Sequence, residues 1–176
     1  QMAIASGKAA LDAAAFKQDT LRSFALLTGS AAAAQTAFDA GIALSREIGG
    51  APTERLEQLQ QLIGTFGQAR SLDILRAIAD IKVIAPKANV DTVVQSISQI
   101  KGLGKVSFEE IKQISESGAL SIDQIYSSLG KKLGKSNEEI AKLISSGKID
   151  ADTGIVAILD AIEKKTGKKL GKAAAE

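Results

Sequence analysis

The chain has 176 residues, a formal charge of +2 and neither Cys nor His; this excludes a disulfide framework, a thiolate or imidazole metal site, a cysteine nucleophile and a Ser-His-Asp triad. The near-neutral charge excludes chain-wide electrostatic binding of nucleic acid. Aromatic residues are only 3% and Trp is absent, so the core must be built from Ala, Leu, Ile and Val, a composition that suits helices better than a sheet.

Residues Met2 to Leu27 are Ala-rich, with apolar positions at Leu11, Phe16, Leu21, Phe24 and Leu27 that predict one or two helices. Thr28-Gly29-Ser30 reads as a stop followed by a new cap, with Gly29 ending one helix and Ser30 starting the next. A second Ala-rich helix is expected from Ala31 to Ile48, ending at Gly49-Gly50. After Ala51-Pro52-Thr53, the stripe of Leu56, Leu59, Ile63 and Phe66 predicts a third helix that Gly67 stops. A fourth, near Leu72 to Val83, halts before Pro86, whose ring disfavours helix in the residue before it. Ala85 to Asn89 is therefore the expected joint if the chain has two helical subdomains. Beyond it, Val90, Val93, Val94 and Ile97 form a core stripe, as do Ile122, Ile125, Tyr126 and Leu129, and Ile155, Ile158, Leu159 and Ile162. Phe108, Ile111 and Ile114 mark a short helix between them, and Ser136 to Ser145 marks another.

The second half is punctuated three times by glycine, a spacer, an aliphatic residue and then Ser or Asp: Gly104-Lys105-Val106-Ser107, Gly118-Ala119-Leu120-Ser121 and Gly147-Lys148-Ile149-Asp150. Glycine accepts the left-handed conformation that ends a helix, and the Ser or Asp oxygen caps the next one. Ser107 with Glu110, Ser121 with Gln124 and Ser136 with Glu139 have the spacing of reciprocal capping boxes, while Val106 with Ile111 and Leu120 with Ile125 have staple spacing. The expected fold is all-α, a compact array of about eight to nine helices of roughly 8 to 15 residues joined by tight connections. It spans residues 1–163, and a basic, flexible tail follows at 164–176.

No motif here carries catalysis. Gly130-Lys131-Lys132-Leu133-Gly134-Lys135-Ser136 imitates a phosphate-binding loop but has three residues between its glycines instead of four, and follows a predicted helix instead of a strand. A helix end and a Ser cap account for it. Asp150, Asp152, Asp160, Glu109 and Glu110 mostly fall at predicted helix starts, where carboxylates complement the dipole, and Asp150 does not open a calcium loop. No metal, cofactor or enzymatic activity is expected. The lysine-rich end lacks interleaved aromatics, so specific nucleic-acid binding is not expected either. No apolar run approaches the ~18 residues of a membrane span, and the start lacks the zones of a secretory signal. The beginning at Gln1 instead of Met reads as a piece of a longer polypeptide.

Two tracts resemble the N-terminal region of bacteriophage tail tape measure proteins. Phe16-Lys17-Gln18-Asp19-Thr20, Leu26-Leu27-Thr28-Gly29-Ser30, an Ala-rich helix with Phe38, and Leu62 to Phe66-Gly67 are similar to that family's Phe-Lys opening, Leu-x-Gly-Ser turn and Phe-Gly ending. The more specific tract runs from Ile100-Lys101-Gly102 through Val106-Ser107-Phe108-Glu109-Glu110-Ile111 to Glu116-Ser117-Gly118. It resumes at Leu129-Gly130 and at Leu143 to Thr153, where Ser145-Ser146-Gly147-Lys148-Ile149-Asp150-Ala151-Asp152 resembles the family's closing Ser-x-Gly-Lys-Ile-Ser-Ala-Asp. Many relatives have Thr-Pro-Phe where this chain has Ala51-Pro52-Thr53, and Ser71 to Asn89 matches no particular pattern.

The resemblance implies a virion component, made in the bacterial host cytoplasm, whose parent sets tail length, templates tail tube assembly and helps DNA enter the host. The partners it implies are tail tube and baseplate or tip proteins, tail assembly chaperones and other copies of itself. Murein-cleaving domains occur elsewhere in some family members, and nothing in this chain resembles one. Because α-helix advances only about 1.5 Å per residue, a glycine-punctuated block with an expected radius of gyration of about 16 Å reads as a terminal or inter-rod module and not as the ruler itself. The competing expectations are a helical protein-protein interaction module of an unrelated bacterial protein and, from the Ala-rich start and lysine-rich end, a membrane-active segment.

Overall fold

The computed structural model describes residues 2–167, and the side chains of 11–47 and 49–167 within them. The described residues are all-α, with nine helices joined by short turns. The chain divides into two compact units, residues 1–68 and 69–176.

The first unit holds α1 (Met2–Thr28), α2 (Ala31–Ile48) and α3 (Pro52–Phe66), each packed on the other two. Ser30 caps α2 by accepting from the Ala33 N–H at 3.3 Å, and Pro52 opens α3 at a position whose N–H no helix needs. Phe24, Ala34, Ala37, Leu44, Leu56, Leu59 and Leu62 fill the core. Gly41 permits close packing of α2 on α3, since a Cβ there would sit 2.7 Å from Leu56 Cδ2. Gln60 Nε2 donates to Ser23 Oγ at 2.6 Å, tying α3 to α1.

Two expectations fail in α1. It is one uninterrupted helix of 27 residues, about 40 Å at the rise per residue of an α-helix, well beyond the expected element length; α2, α4 and α9 also exceed that range. Of its five predicted apolar positions only Phe24 is buried, and Leu11 is 72% exposed. Alanine sustains the helix on propensity without needing a wide buried stripe, so the spacing of larger residues misreports its inner face.

The second unit runs through α4 (Gln68–Ile84), α5 (Val90–Leu103), α6 (Phe108–Glu116), α7 (Ile122–Leu133), α8 (Asn137–Ser145) and α9 (Ala151–Thr166), α4 starting one residue before the division. α5 packs on α6 and α9, and α7 packs on α8 and α9. Val90, Val93, Val94, Ile97 and Ile100 of α5 are buried, as are Ile155, Ile158 and Ile162 of α9. Within the other predicted stripes Ile122, Tyr126 and Leu159 are half-buried and Phe108 is exposed. Burial raises the Tyr126 hydroxyl pKa above its usual value.

The expected joint at Ala85 to Asn89 is not where the units divide. That turn lies inside the second unit because its backbone is used there: Asn89 N–H donates to the Ser117 carbonyl at 2.8 Å, and Ala88 is buried. The Pro86 signal marks a helix end correctly, but a bonded turn is not a linker. The basic tail also begins later than expected, since Lys164 to Thr166 complete the last turn of α9 and Gly167 caps it. The rest of the predicted tail, 168–176, lies outside the described residues.

Candidate functional site

The first and third punctuation marks, over forty residues apart in sequence, pair with each other. Gly104 ends α5 in the left-handed conformation, which leaves the next residues extended and free to bond. Val106 N–H donates to the Ile149 carbonyl at 2.9 Å and Ala151 N–H donates to the Gly104 carbonyl at 3.1 Å, forming an antiparallel bridge of Lys105 with Asp150. Ala151 is the first residue of α9, so Gly104 satisfies an amide that the helix cannot. Asp150 completes the cap, accepting from Thr153 N–H at 2.9 Å and from the Thr153 hydroxyl at 2.7 Å. Val106 and Ile149 are buried in the bridge.

Gly154 decides how closely this clasp fits. A Cβ at that position would lie 2.0 Å from Val106 Cγ2, so α9 can meet the first mark only with no side chain there. Outside the clasp, Asp152 lies 2.8 Å from Lys101 Nζ and 3.8 Å from Arg70. These exposed ion pairs contribute little; the buried Val106 and the bridge hold the junction.

Ser117, just before the second mark, meets the turn before α5 through its bond from Asn89. Gly118 follows α6 with positive φ, and Ser121 begins α7 with both arms of its capping box formed: Gln124 N–H donates to Ser121 Oγ at 3.1 Å and Ser121 N–H to Gln124 Oε1 at 2.8 Å. The box at α8 is formed as well. Glu139 N–H donates to Ser136 Oγ at 3.3 Å and Ser136 N–H to Glu139 Oε2 at 2.9 Å.

Ser107 departs from the expected pattern. It begins α6 with extended backbone but caps no amide; its hydroxyl donates to the buried Glu110 carboxylate, which turns toward the hydroxyl instead of the Ser107 N–H. The capping box of that pair is therefore absent, and spacing alone could not tell whether the hydroxyl would accept from a helix amide or donate to the carboxylate.

The electrostatics of the caps follow from these bonds. The Ser136 backbone N–H and then Lys135 hold the Glu139 carboxyl below its ordinary pKa, and the Thr153 N–H and hydroxyl do the same for Asp150. Gly130 to Ser136 forms the end of α7, a left-handed Gly134 and the α8 cap; it does not fold as a phosphate cradle. Gly147 also adopts positive φ as the first residue of the third mark. Among the described residues no group of three or more acidic side chains is placed to hold a metal ion.

Two residues that shape the junctions escaped sequence reasoning. Gly154 looks like an isolated helix glycine, a known sign of close packing. Arg55 stands just before an apolar stripe, yet it is only 2% exposed. Its guanidinium donates to Gln58 Oε1 at 2.8 Å, to Glu54 Oε1 at 3.3 Å and to the Gly49 carbonyl at 3.3 Å, closing the end of α2 against α3. The site joins helix ends through backbone bonds and side-chain caps. No family model, curated protein or solved structure matches the chain.

Proposed function

We propose that the chain is a folded module of a bacteriophage tail tape measure protein, a structural protein that sets tail length, templates the tail tube and takes part in genome ejection. The resemblance of Ile100–Gly118 and Leu143–Thr153 to the family signature supports this reading, and one observation carries it: these two separate tracts are the two sides of a single clasp. The repeated glycine, aliphatic and Ser or Asp pattern then has a physical reason, because each residue type is needed for the chain to turn, bury and cap at that junction.

In this role the clasp makes the segment a closed block and not an extending rod. It docks to tail tube, baseplate or tip proteins, to assembly chaperones or to further copies of itself, within the virion. Among the described residues no helix is long and apolar enough to cross a membrane.

Peptide mapping of purified tail particles and of infected-cell lysate tests the assignment. Peptides from Val106 to Asp150 are expected in a large polypeptide of the tail fraction. A small free protein confined to the lysate would overturn the reading in favour of a helical adaptor. Deleting Gly104 to Asp150 should block assembly, and tails shortened strictly in proportion to the lost residues would show that the block is part of the ruler.

A further inference from the structure

The groove between α7 and α9 belongs neither to the clasp nor to the caps. Ser128 Oγ donates to the Ala157 carbonyl at 2.6 Å and Lys165 Nζ to the Ala119 carbonyl at 2.7 Å, so the two helices run antiparallel. Each ends in a lysine pair, Lys131 with Lys132 and Lys164 with Lys165. The helix dipole favours lysines in a last turn, but antiparallel packing puts the two last turns at opposite ends. All four nevertheless line one groove of about 700 Å³, together with Asp123 and Asp160. Lys132 lies 3.6 Å from Asp160 and Lys165 is held by the Ala119 carbonyl. Lys131 and Lys164 have no ion-pair partner among the described residues.

We propose that this groove docks an acidic segment of a protein partner, with Lys131 and Lys164 as its two free cationic contacts. The lysines are spread along the length of α7 from Asp123 to Lys132, about 14 Å at the helix rise, which suits a linear polyanion better than a single phosphate. The lining favours polypeptide over nucleic acid. It offers no aromatic ring for base stacking and no arginine fork, and its two aspartates would face a continuous phosphate chain with like charge. A segment rich in Glu or Asp with an occasional basic residue matches the interleaved signs. The groove supports this whether or not the parent is a tail protein.

The test is fluorescence anisotropy of the full chain with a labelled peptide of about twelve residues, rich in Glu and Ala with an occasional Lys, roughly 18 Å as a helix, at about 50 mM salt, where screening is weaker than at physiological strength. Saturable binding is expected, weakened about tenfold or more in the K131E/K164E double variant, with cooperative unfolding retained at a midpoint somewhat lowered by the lost helix-dipole contacts. The exposed Lys142→Glu, off both the groove and the clasp, should leave the affinity intact. If the charge-reversed protein fails to fold, K131Q/K164Q should show a smaller loss in the same direction. Absence of saturable binding, an equal loss in Lys142→Glu, or tighter binding of a single-stranded oligothymidine through the same lysines would each overturn the proposal.

Discussion

At the residue scale, the most consequential atom is the one Gly154 lacks. Alanine is the better helix former by about 1 kcal/mol, so helix propensity alone predicts that Gly154→Ala stabilises α9. The 2.0 Å approach to Val106 Cγ2 reverses that expectation. Gly154→Ala should destabilise the protein by roughly 1–3 kcal/mol, the ordinary cost of overpacking, as read by denaturant unfolding. Adding Val106→Ala should recover part of the loss in a double-mutant cycle, because the clash then has no second atom. Strict additivity would mean that the two residues do not meet. Arg55 illustrates the same lesson in the first unit: its role lies in the Gly49 carbonyl, the Gln58 amide oxygen and the Glu54 carboxylate that it reaches.

At the element scale, helix starts differ although their sequences look alike. Ser121 caps α7, and Ser121→Ala should cost about 0.5–2 kcal/mol; an unchanged unfolding midpoint would remove that cap from the account. Asp150 caps α9 as a carboxylate whose pKa is lowered in the fold. A depressed folded pKa stabilises above the unfolded value and is lost as pH falls through the folded one. Stability should therefore decline as pH drops below about 4, the usual carboxylate range, with Glu139 acting in the same sense. Asp150→Asn, an equally good cap, should retain most of the neutral-pH stability and flatten that acid dependence. A variant with the wild-type acid profile would show that Asp150 contributes nothing to it.

At the scale of the whole molecule, the division at residues 68 and 69 makes a prediction that the turn at Ala85 to Asn89 does not. A fragment of residues 69–176 should unfold cooperatively, with a single transition by circular dichroism. One beginning at residue 90 lacks the buried Ile74, Leu75 and Ile78 of α4 together with Ala88, and should melt at a lower temperature or without cooperativity. Equal midpoints for both fragments would return the boundary to the proline turn. In the proposed tail role, the clasp is also what keeps the block from lengthening under load, since opening it would expose Val106 and Ile149 and free the Gly104 and Ile149 carbonyls.

The sequence by itself determined the fold class, most helix ends and the caps of α2, α7, α8 and α9. These are local: a glycine at positive φ, a hydroxyl three residues before the amide it accepts from, and a periodic apolar face are all written within a few consecutive residues. It determined less about α1, where alanine gives helix without declaring a face, and about Ser107, whose hydroxyl donates to the Glu110 carboxylate instead of accepting from a helix amide. Only the tertiary structure decided that the first and third marks bond to each other, that Gly154 is there for Val106, that the proline turn stays inside a unit and that two distant lysine pairs share one groove. Each joins residues separated by a length of chain that spacing rules do not span, and the backbone groups left over at helix ends are satisfied by whichever partner the packing brings near.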